Sequence, residues 1–241
     1  ESVLGQTMGD LELIVIDDGS TDGTPAILES FGDPRLRVER RGRGGLTSAL
    51  NRALTLARAP LLARLDADDI AVPERLARQR AFLDAHPDVG LLGTAAREVD
   101  PSGRDIRTVR PPTDDAALRR ALIRSNPFVH SSMMMRRAAV DLVKGYDPSF
   151  PVAQDYDLWM RVSRVTRMAN LAEPLVVRRI LPGRVTATRD TERLRAEARV
   201  RWRAVRAGTY PAWCLLFALR PLLARAIPTS TRRRLRRFGS R

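Results

Sequence analysis

A single cysteine, Cys214, leaves this 241-residue chain without an internal disulfide and without a cysteine-built zinc centre. Only two histidines are present, His86 and His130, so a histidine-rich metal site is not expected either. A metal here would have to sit among carboxylates, which select hard cations. No apolar run reaches the about 18–20 residues of a spanning helix; the nearest, Ala212 to Ile227, is broken by Arg220, Pro221 and Arg225. Lysine is almost missing: Lys144 stands alone among 42 basic residues, so the net charge of +14 is an arginine charge. A G+C-rich genome produces that bias without selection for function. The densest basic run, Arg232-Arg233-Arg234-Leu235-Arg236-Arg237, follows an apolar stretch rather than lying in a nucleic-acid-binding motif. An anionic membrane surface is its expected partner, and nucleic acid is not expected.

What is present is a 44% hydrophobic composition and enough length for one sizeable domain with an appendage. Leu11 to Ile16 is a short apolar run ending in Asp17-Asp18-Gly19-Ser20, which reads as a buried parallel strand. Thr24-Pro25 marks a helix start, and Arg35 to Glu39 a second strand. After the loop Arg41-Gly42-Arg43-Gly44-Gly45, the apolar positions Leu46, Ala49, Leu50, Ala53, Leu54 and Ala57 predict an amphipathic helix. Leu61 to Leu65 is the next strand, ending in Asp66-Ala67-Asp68-Asp69, and Pro73 opens a helix to about Ala85. Val89–Thr94 and an edge hairpin turning at Asp100-Pro101-Ser102-Gly103 follow. A helix near Asp114–Arg124, a strand Ser131–Met135, a helix Asp155–Val165 and a strand Leu175–Ile180 complete the pattern. The Met133-Met134-Met135 run reads as core packing.

This alternation predicts an α/β fold with a mostly parallel sheet flanked by helices. Its ligands should bind beyond the carboxyl ends of the strands, where the acidic clusters fall. Asp17-Asp18 and Asp66-x-Asp68-Asp69 would meet if their strands were adjacent. So many carboxylates together repel unless a cation or hydrogen-bond donors offset the charge. A divalent metal holding a nucleotide diphosphate does so. Asp22 reads equally well as a helix cap.

Three ordered blocks resemble family 2 glycosyltransferases of the GT-A type. They are Ser2-Val3-Leu4-x-Gln6-Thr7 with Glu12 to Thr24; Leu65-Asp66-Ala67-Asp68-Asp69-Ile70-x-x-Pro73-Glu74-Arg75-Leu76; and Gln154-Asp155-Tyr156-Asp157-Leu158-Trp159-Met160-Arg161, preceded by Asn126-Pro127-x-x-His130-Ser131-Ser132. Together they cover roughly residues 1 to 185. The resemblance implies a catalytic domain over 1–185, with a Rossmann-like nucleotide-binding half and an acceptor-binding half, and a basic helical extension over 186–241. It implies that Asp17 and Asp18 contact the base or ribose, that Asp66 contacts the ribose, and that Asp68 with Asp69 binds Mn²⁺ or Mg²⁺. Asp155 takes the catalytic-base position, where a carboxylate in a partly desolvated cleft removes the acceptor's proton. Arg43 and Gly45 are expected near the nucleotide, since a glycine-rich loop lets backbone approach a ligand. His130 is either a satisfied structural histidine or a contact to the diphosphate or acceptor.

The resemblance further implies a nucleotide-sugar donor, with UDP as the expected nucleotide, and a glycan or lipid-linked acceptor. The setting would be cell-surface polysaccharide, glycolipid or lipid-linked glycan synthesis, in the cytoplasm or peripherally on the inner face of the plasma membrane. Three departures stand out. The family's opening strand has no counterpart, and Glu1-Ser2-Val3-Leu4 reads like a helix tail, as in a truncated copy of a longer protein. Gln154 replaces an acidic residue often found before the catalytic aspartate, and Leu181 stands where many relatives carry histidine. Ala198 stands where processive relatives carry the glutamine of Gln-x-x-Arg-Trp, which points to single transfers. A metal-dependent nucleotidyltransferase, or a non-catalytic remnant that binds nucleotide or membrane, are the competing readings.

Overall fold

Short apolar runs separated by amphipathic segments fold into strands and helices, and in the computed structural model residues 1–181 and 190–218 are described. They fall in two compact units, Glu1–Arg184 and Val185–Arg241. In the first, β1 (Leu13–Asp17) and β2 (Leu36–Arg40) pair in parallel, from Leu13 opposite Leu36 to Asp17 opposite Arg40. The helix α1 (Thr24–Glu29) joins them, with Pro25 in its first turn. Asp22 precedes the N-cap residue, Gly23, and its carboxylate accepts the Thr24 N–H at 3.0 Å, a local turn contact rather than the expected side-chain cap. Next come α2 (Leu46–Leu56), β3 (Leu61–Ala63), β4 (Ile70–Ala71), α3 (Arg75–Ala85), β5 (Val89–Val99) and β6 (Asp105–Val109). The unit continues with α4 (Asp115–Leu122), β7 (Met134–Arg136), α5 (Arg137–Leu142), α6 (Gln154–Val162) and β8 (Arg167–Arg179).

The second sheet runs β3-β7-β5-β8-β4, with β6 paired on β5. Parallel pairing, expected for most of the sheet, holds for β1–β2 and β5–β8, whereas the other four pairings are antiparallel, the expected β5–β6 hairpin among them. Two of the four arise at β7, which inserts between β3 and β5 and runs against both. Strand–helix alternation carries no signal for such an insertion. Ser131 and Ser132, expected in that strand, lie instead in a 3₁₀ turn, His130–Ser132, just before it. Nor do the two acidic clusters sit on adjacent strands: β1 pairs with β2, and β3 with β7, among the described residues. A local tie joins their roots, because the Glu12 carboxylate accepts the N–H groups of Arg58 and Ala59 at 2.7 and 3.3 Å.

Leu76 and Leu83 of α3 pack on Val89 and Leu92 of β5, Met134 of β7 and Ala169 of β8. Met133, Met134 and Met135 are all buried, as their apolar run suggests. Inside this core sits Arg75, fully buried at the start of α3. Its guanidinium donates to the carbonyls of Arg64 and Met133 at 2.7 and 3.2 Å and to Gln79 Oε1 at 3.0 Å. Gln79 in turn donates to the carbonyls of Leu92 and Ser132 at 3.3 and 2.8 Å. Burial, with the Arg64 charge nearby, lowers the Arg75 pKa to about 9, and Asp69 opposes that shift.

The second unit contains α7 (Asp190–Arg206) and a 3₁₀ turn, Ala212–Cys214. No helix among the described residues is long and apolar enough to cross a membrane. The Arg232–Arg237 run, Pro182-Gly183 and the end of the Ala212–Ile227 stretch lie outside the described residues.

Replacing Arg75 with methionine keeps the volume but leaves the Arg64 carbonyl and the Gln79 amide oxygen without that donor, while the Met133 carbonyl keeps the Arg64 N–H at 2.9 Å. The expected cost is about 2–4 kcal/mol, read as a lower urea midpoint with an unchanged slope. A loss below about 1 kcal/mol would mean that these acceptors find other donors.

Candidate active site

The loop between β3 and β4 carries Asp66, Asp68 and Asp69, and folding brings one oxygen of each within 4.8 Å of the others. Arg64, two residues before Asp66 and nearly buried, binds it with both terminal nitrogens, one contact being 2.7 Å to Oδ2. Ser131, from the 3₁₀ turn, donates to Asp66 Oδ2 at 2.9 Å and also lies within hydrogen-bond reach of Asp69 Oδ2. Arg64 Nη1 reaches the same hydroxyl at 3.2 Å. Asp69 is buried, and its Oδ1 accepts the Arg179 N–H at the end of β8 at 3.1 Å. Desolvation pushes its pKa up, with the Asp66 and Asp68 charges adding to the rise and the Ser131 bond opposing it. Asp68 is exposed. Three carboxylate oxygens, one held by a neutral hydroxyl, one salt-bridged and one facing solvent, form a hard donor set that fits Mn²⁺ or Mg²⁺.

Asp155 sits in the first turn of α6, directly after Ala153, whose left-handed φ of +57° turns the chain into the helix. That conformation costs a non-glycine residue roughly 1 kcal/mol. Asn126 donates to Asp155 Oδ2 at 2.7 Å. Burial raises the Asp155 pKa above its ordinary 3.8; the Tyr156 N–H, the Arg64 charge and Asn126 hold it back from rising further. Both Asp155 and Asp66 also act on Tyr146, whose phenol burial keeps protonated. Arg64 and Tyr146 thus connect the Asp66–Asp69 loop electrostatically with Asp155.

His130 packs edge-on against Trp159, with ring centroids 5.7 Å apart, and its Nε2 lies 3.0 Å from the Tyr146 hydroxyl. Burial and the Arg64 and Arg178 charges drive its pKa well below 6.5. A neutral imidazole and a protonated phenol share one hydrogen bond here, whose direction follows the histidine tautomer. Tyr146 is itself placed by α2, since the Asn51 side chain pairs with both its N–H and C=O, at 2.9 and 2.8 Å.

The third region is the β1 end. Asp17 is buried and accepts the Ser20 N–H at 2.9 Å, which lowers its pKa together with the Ser20 hydroxyl. Asp18 accepts from the Gly44 and Gly45 N–H groups at 2.9 and 2.6 Å. The glycine-rich loop is thereby folded back over the end of β1. Gly19, at φ +86°, permits that approach: a Cβ there would lie 3.1 Å from the Arg43 nitrogen. Arg43 is exposed at the top of this loop. Among the described residues no hydrogen bond or ion pair joins Asp17 or Asp18 to the Asp66–Asp69 loop. The sequence therefore pointed to the carboxylates, and its third block included Asn126 and Ser131, but it did not single out Arg64, which pairs with Asp66, or Tyr146 beside His130. The one available signal for Arg64 is that an extended chain puts it on the same side as Asp66.

A layered α/β core with a carboxylate cluster at strand ends and a shielded aspartate nearby is the GT-A type of architecture, and solved structures bear this out. A Staphylococcus aureus TarS 1–349 structure in complex with UDP-GlcNAc superposes with a TM-score of 0.67 at 21% identity, covering 83% of this chain and 60% of that one. The mannosyltransferase PcManGT from Pyrobaculum calidifontis, in complex with GDP-Man and Mn²⁺, gives 0.62 at 23% identity over 99% of this chain and 73% of that one. The family model described as "Glycosyl transferase family 2" matches residues 1–142. The O-antigen biosynthesis glycosyltransferase WbnJ of Escherichia coli is 31% identical over 186 residues, 75% of this chain and 72% of that protein. This chain belongs to glycosyl transferase family 2. It spans only 59–60% of the length of some matched relatives.

The depressed His130 pKa carries a sign for stability. An unfolded histidine takes a proton below pH about 6.5, whereas the folded one does not. Stability from this group is present above that value and is lost as pH falls toward the folded pKa. His130→Gln should flatten the acid side of the stability curve between about pH 6.5 and 5, measured by urea unfolding at a series of pH values. An unchanged slope would place the histidine proton elsewhere.

Proposed function

We propose that this protein transfers a sugar, with inversion and one residue at a time, from a nucleotide-diphosphate sugar to an acceptor hydroxyl. The observation that carries this reading is the convergence of Asp66, Asp68 and Asp69 beside a separately shielded Asp155. Asp68 and Asp69 would hold a Mn²⁺ or Mg²⁺ ion. Such a cation, when bound, would offset the negative charge of the leaving diphosphate. Asp66, steadied by Arg64 and Ser131, would contact the ribose. Asp17 and Asp18 would line the base side of the donor, with Arg43 and Gly45 of the loop that Asp18 organises. Asp155, oriented by Asn126, would take the proton of the acceptor hydroxyl as that oxygen attacks the anomeric carbon. His130 would shape the wall of the acceptor or diphosphate side as a neutral group.

The donor we favour carries UDP, the nucleotide bound in the TarS complex. The acceptor we favour is a surface glycan or lipid-linked glycan, because WbnJ and the Erwinia amylovora protein AmsE are named for O-antigen and amylovoran biosynthesis. The catalytic part would be residues 1–185, with 186–241 as a basic extension. Action on the cytoplasmic side of the plasma membrane fits such an acceptor.

Calorimetry with UDP, GDP and other nucleotide diphosphates, with and without Mn²⁺, tests the donor site directly. Metal-dependent binding of one nucleotide should appear, and Asp68→Ala should weaken it by at least tenfold, on the order of one lost charged ligand. Equal binding by the variant would remove the loop from the metal site.

Asp155 yields a second expectation. A base must be ionised, so the rate should fall with decreasing pH through a pKa above the ordinary carboxylate value. Asp155→Asn should lose about 10²–10⁴ in kcat while leaving donor affinity intact. It should not destabilise the fold at neutral pH. A carboxyl whose folded pKa is raised contributes most below its unfolded pKa and loses that contribution as pH rises through the folded value. Near-normal turnover by Asp155→Asn would assign the base to another group.

A further inference from the structure

The chain's charge is unevenly distributed. Val185–Arg241 carries fifteen arginines against three acidic residues, a net +12 of the total +14, whereas Glu1–Arg184 is nearly neutral at +2. Within that unit the face of α7 is also divided. Val200, Arg201 and Ala204 are buried, and Arg193 and Arg201 both pair with Glu197 along the helix. The outward positions are Arg195, Arg199, Trp202 and Arg206, spaced four, three and four residues apart, which puts them on one stripe. Trp202 is 48% exposed, and the Arg206 guanidinium lies 5.1 Å from the centre of its ring. Beyond α7, Trp213 and Leu216 are 61% and 63% exposed, the tryptophan leaning edge-on against Phe217. Two of the three tryptophans in the protein therefore face outward in its most basic segment, while the third, Trp159, is fully buried.

We propose that the described part of this unit, residues 190–218, is an interfacial docking surface for anionic phospholipid bilayers. Tryptophan and leucine side chains beside arginines suit the headgroup region, where the ring or chain enters the acyl boundary and the guanidinium pairs with phosphate. A nucleic-acid surface would use the arginines but leave Trp213 and Leu216 without an apolar environment. Attachment is peripheral, because no helix among the described residues can span. The test reads vesicle binding and does not depend on transferase activity.

The experiment is flotation of the full chain with vesicles of phosphatidylcholine alone or of phosphatidylcholine with phosphatidylglycerol. The protein should float only with the anionic vesicles, and raising the salt should release it. Its tryptophan emission should shift to the blue on binding, reporting Trp202 and Trp213 because Trp159 is already buried. Trp213→Ser with Leu216→Ser should abolish flotation. Arg195→Gln with Arg206→Gln, which alters only exposed side chains, should weaken it at least about tenfold and serves if the first variant does not fold. No flotation, flotation indifferent to both variants, or tight binding to duplex DNA with vesicles left behind would each overturn the proposal.

Discussion

A fully buried guanidinium organises this fold. Among the described residues Arg75 has no carboxylate hydrogen-bonded to it and instead satisfies main-chain carbonyls at the end of β3 and at the entry to β7. Through Gln79 the same network reaches β5 and the 3₁₀ turn that carries Ser131. The four segments on which the acidic loop depends are thus fastened to the first turn of one helix. A charge in this position is costly unless its donors are used, and here its donors reach several strands at once.

On that foundation the site balances its own charge. Arg64 offsets Asp66, and Ser131 bridges Asp66 and Asp69 while β8 donates a main-chain N–H to Asp69. Asp68 is exposed and Asp66 partly so, as expected for ligands that must meet a cation from outside. Asp155 is treated differently, because burial raises its pKa while Asn126 and the Arg64 field limit the rise. One arginine therefore steadies a carboxylate of the cation loop and also lowers the cost of ionising the candidate base. His130, held neutral between Tyr146 and Trp159, adds no charge to the balance.

Much of this was legible beforehand. The apolar runs located most strands and helices of the first unit to within a few residues, but they missed the short β4 and α5, and β8 begins at Arg167, well ahead of the Leu175 start read from the sequence. The glycine-rich loop was singled out, but not the Asp18 carboxylate that takes two of its N–H groups. Ser131 and Ser132 read as strand because they adjoin the methionine run, yet their hydroxyls bond locally and across the site, which favours a turn.

By itself the sequence determined which faces are buried, where acidic residues follow strands, which family the chain joins and where its positive charge collects. The family rests on the resemblance of three ordered motif blocks, and the other features on periodicity and composition, which are local. Tertiary structure alone decided the antiparallel insertion of β7, the division into two sheets, and the meeting of Arg64 with Ser131 across 67 residues of chain. Periodicity records that a side chain is covered and is silent on what covers it. Arg64 and Arg75 each have a partner close in sequence, Asp66 and Gln79, but their contacts to Ser131 and Met133, like that of Asn126 to Asp155, existed only once packing had brought distant segments together.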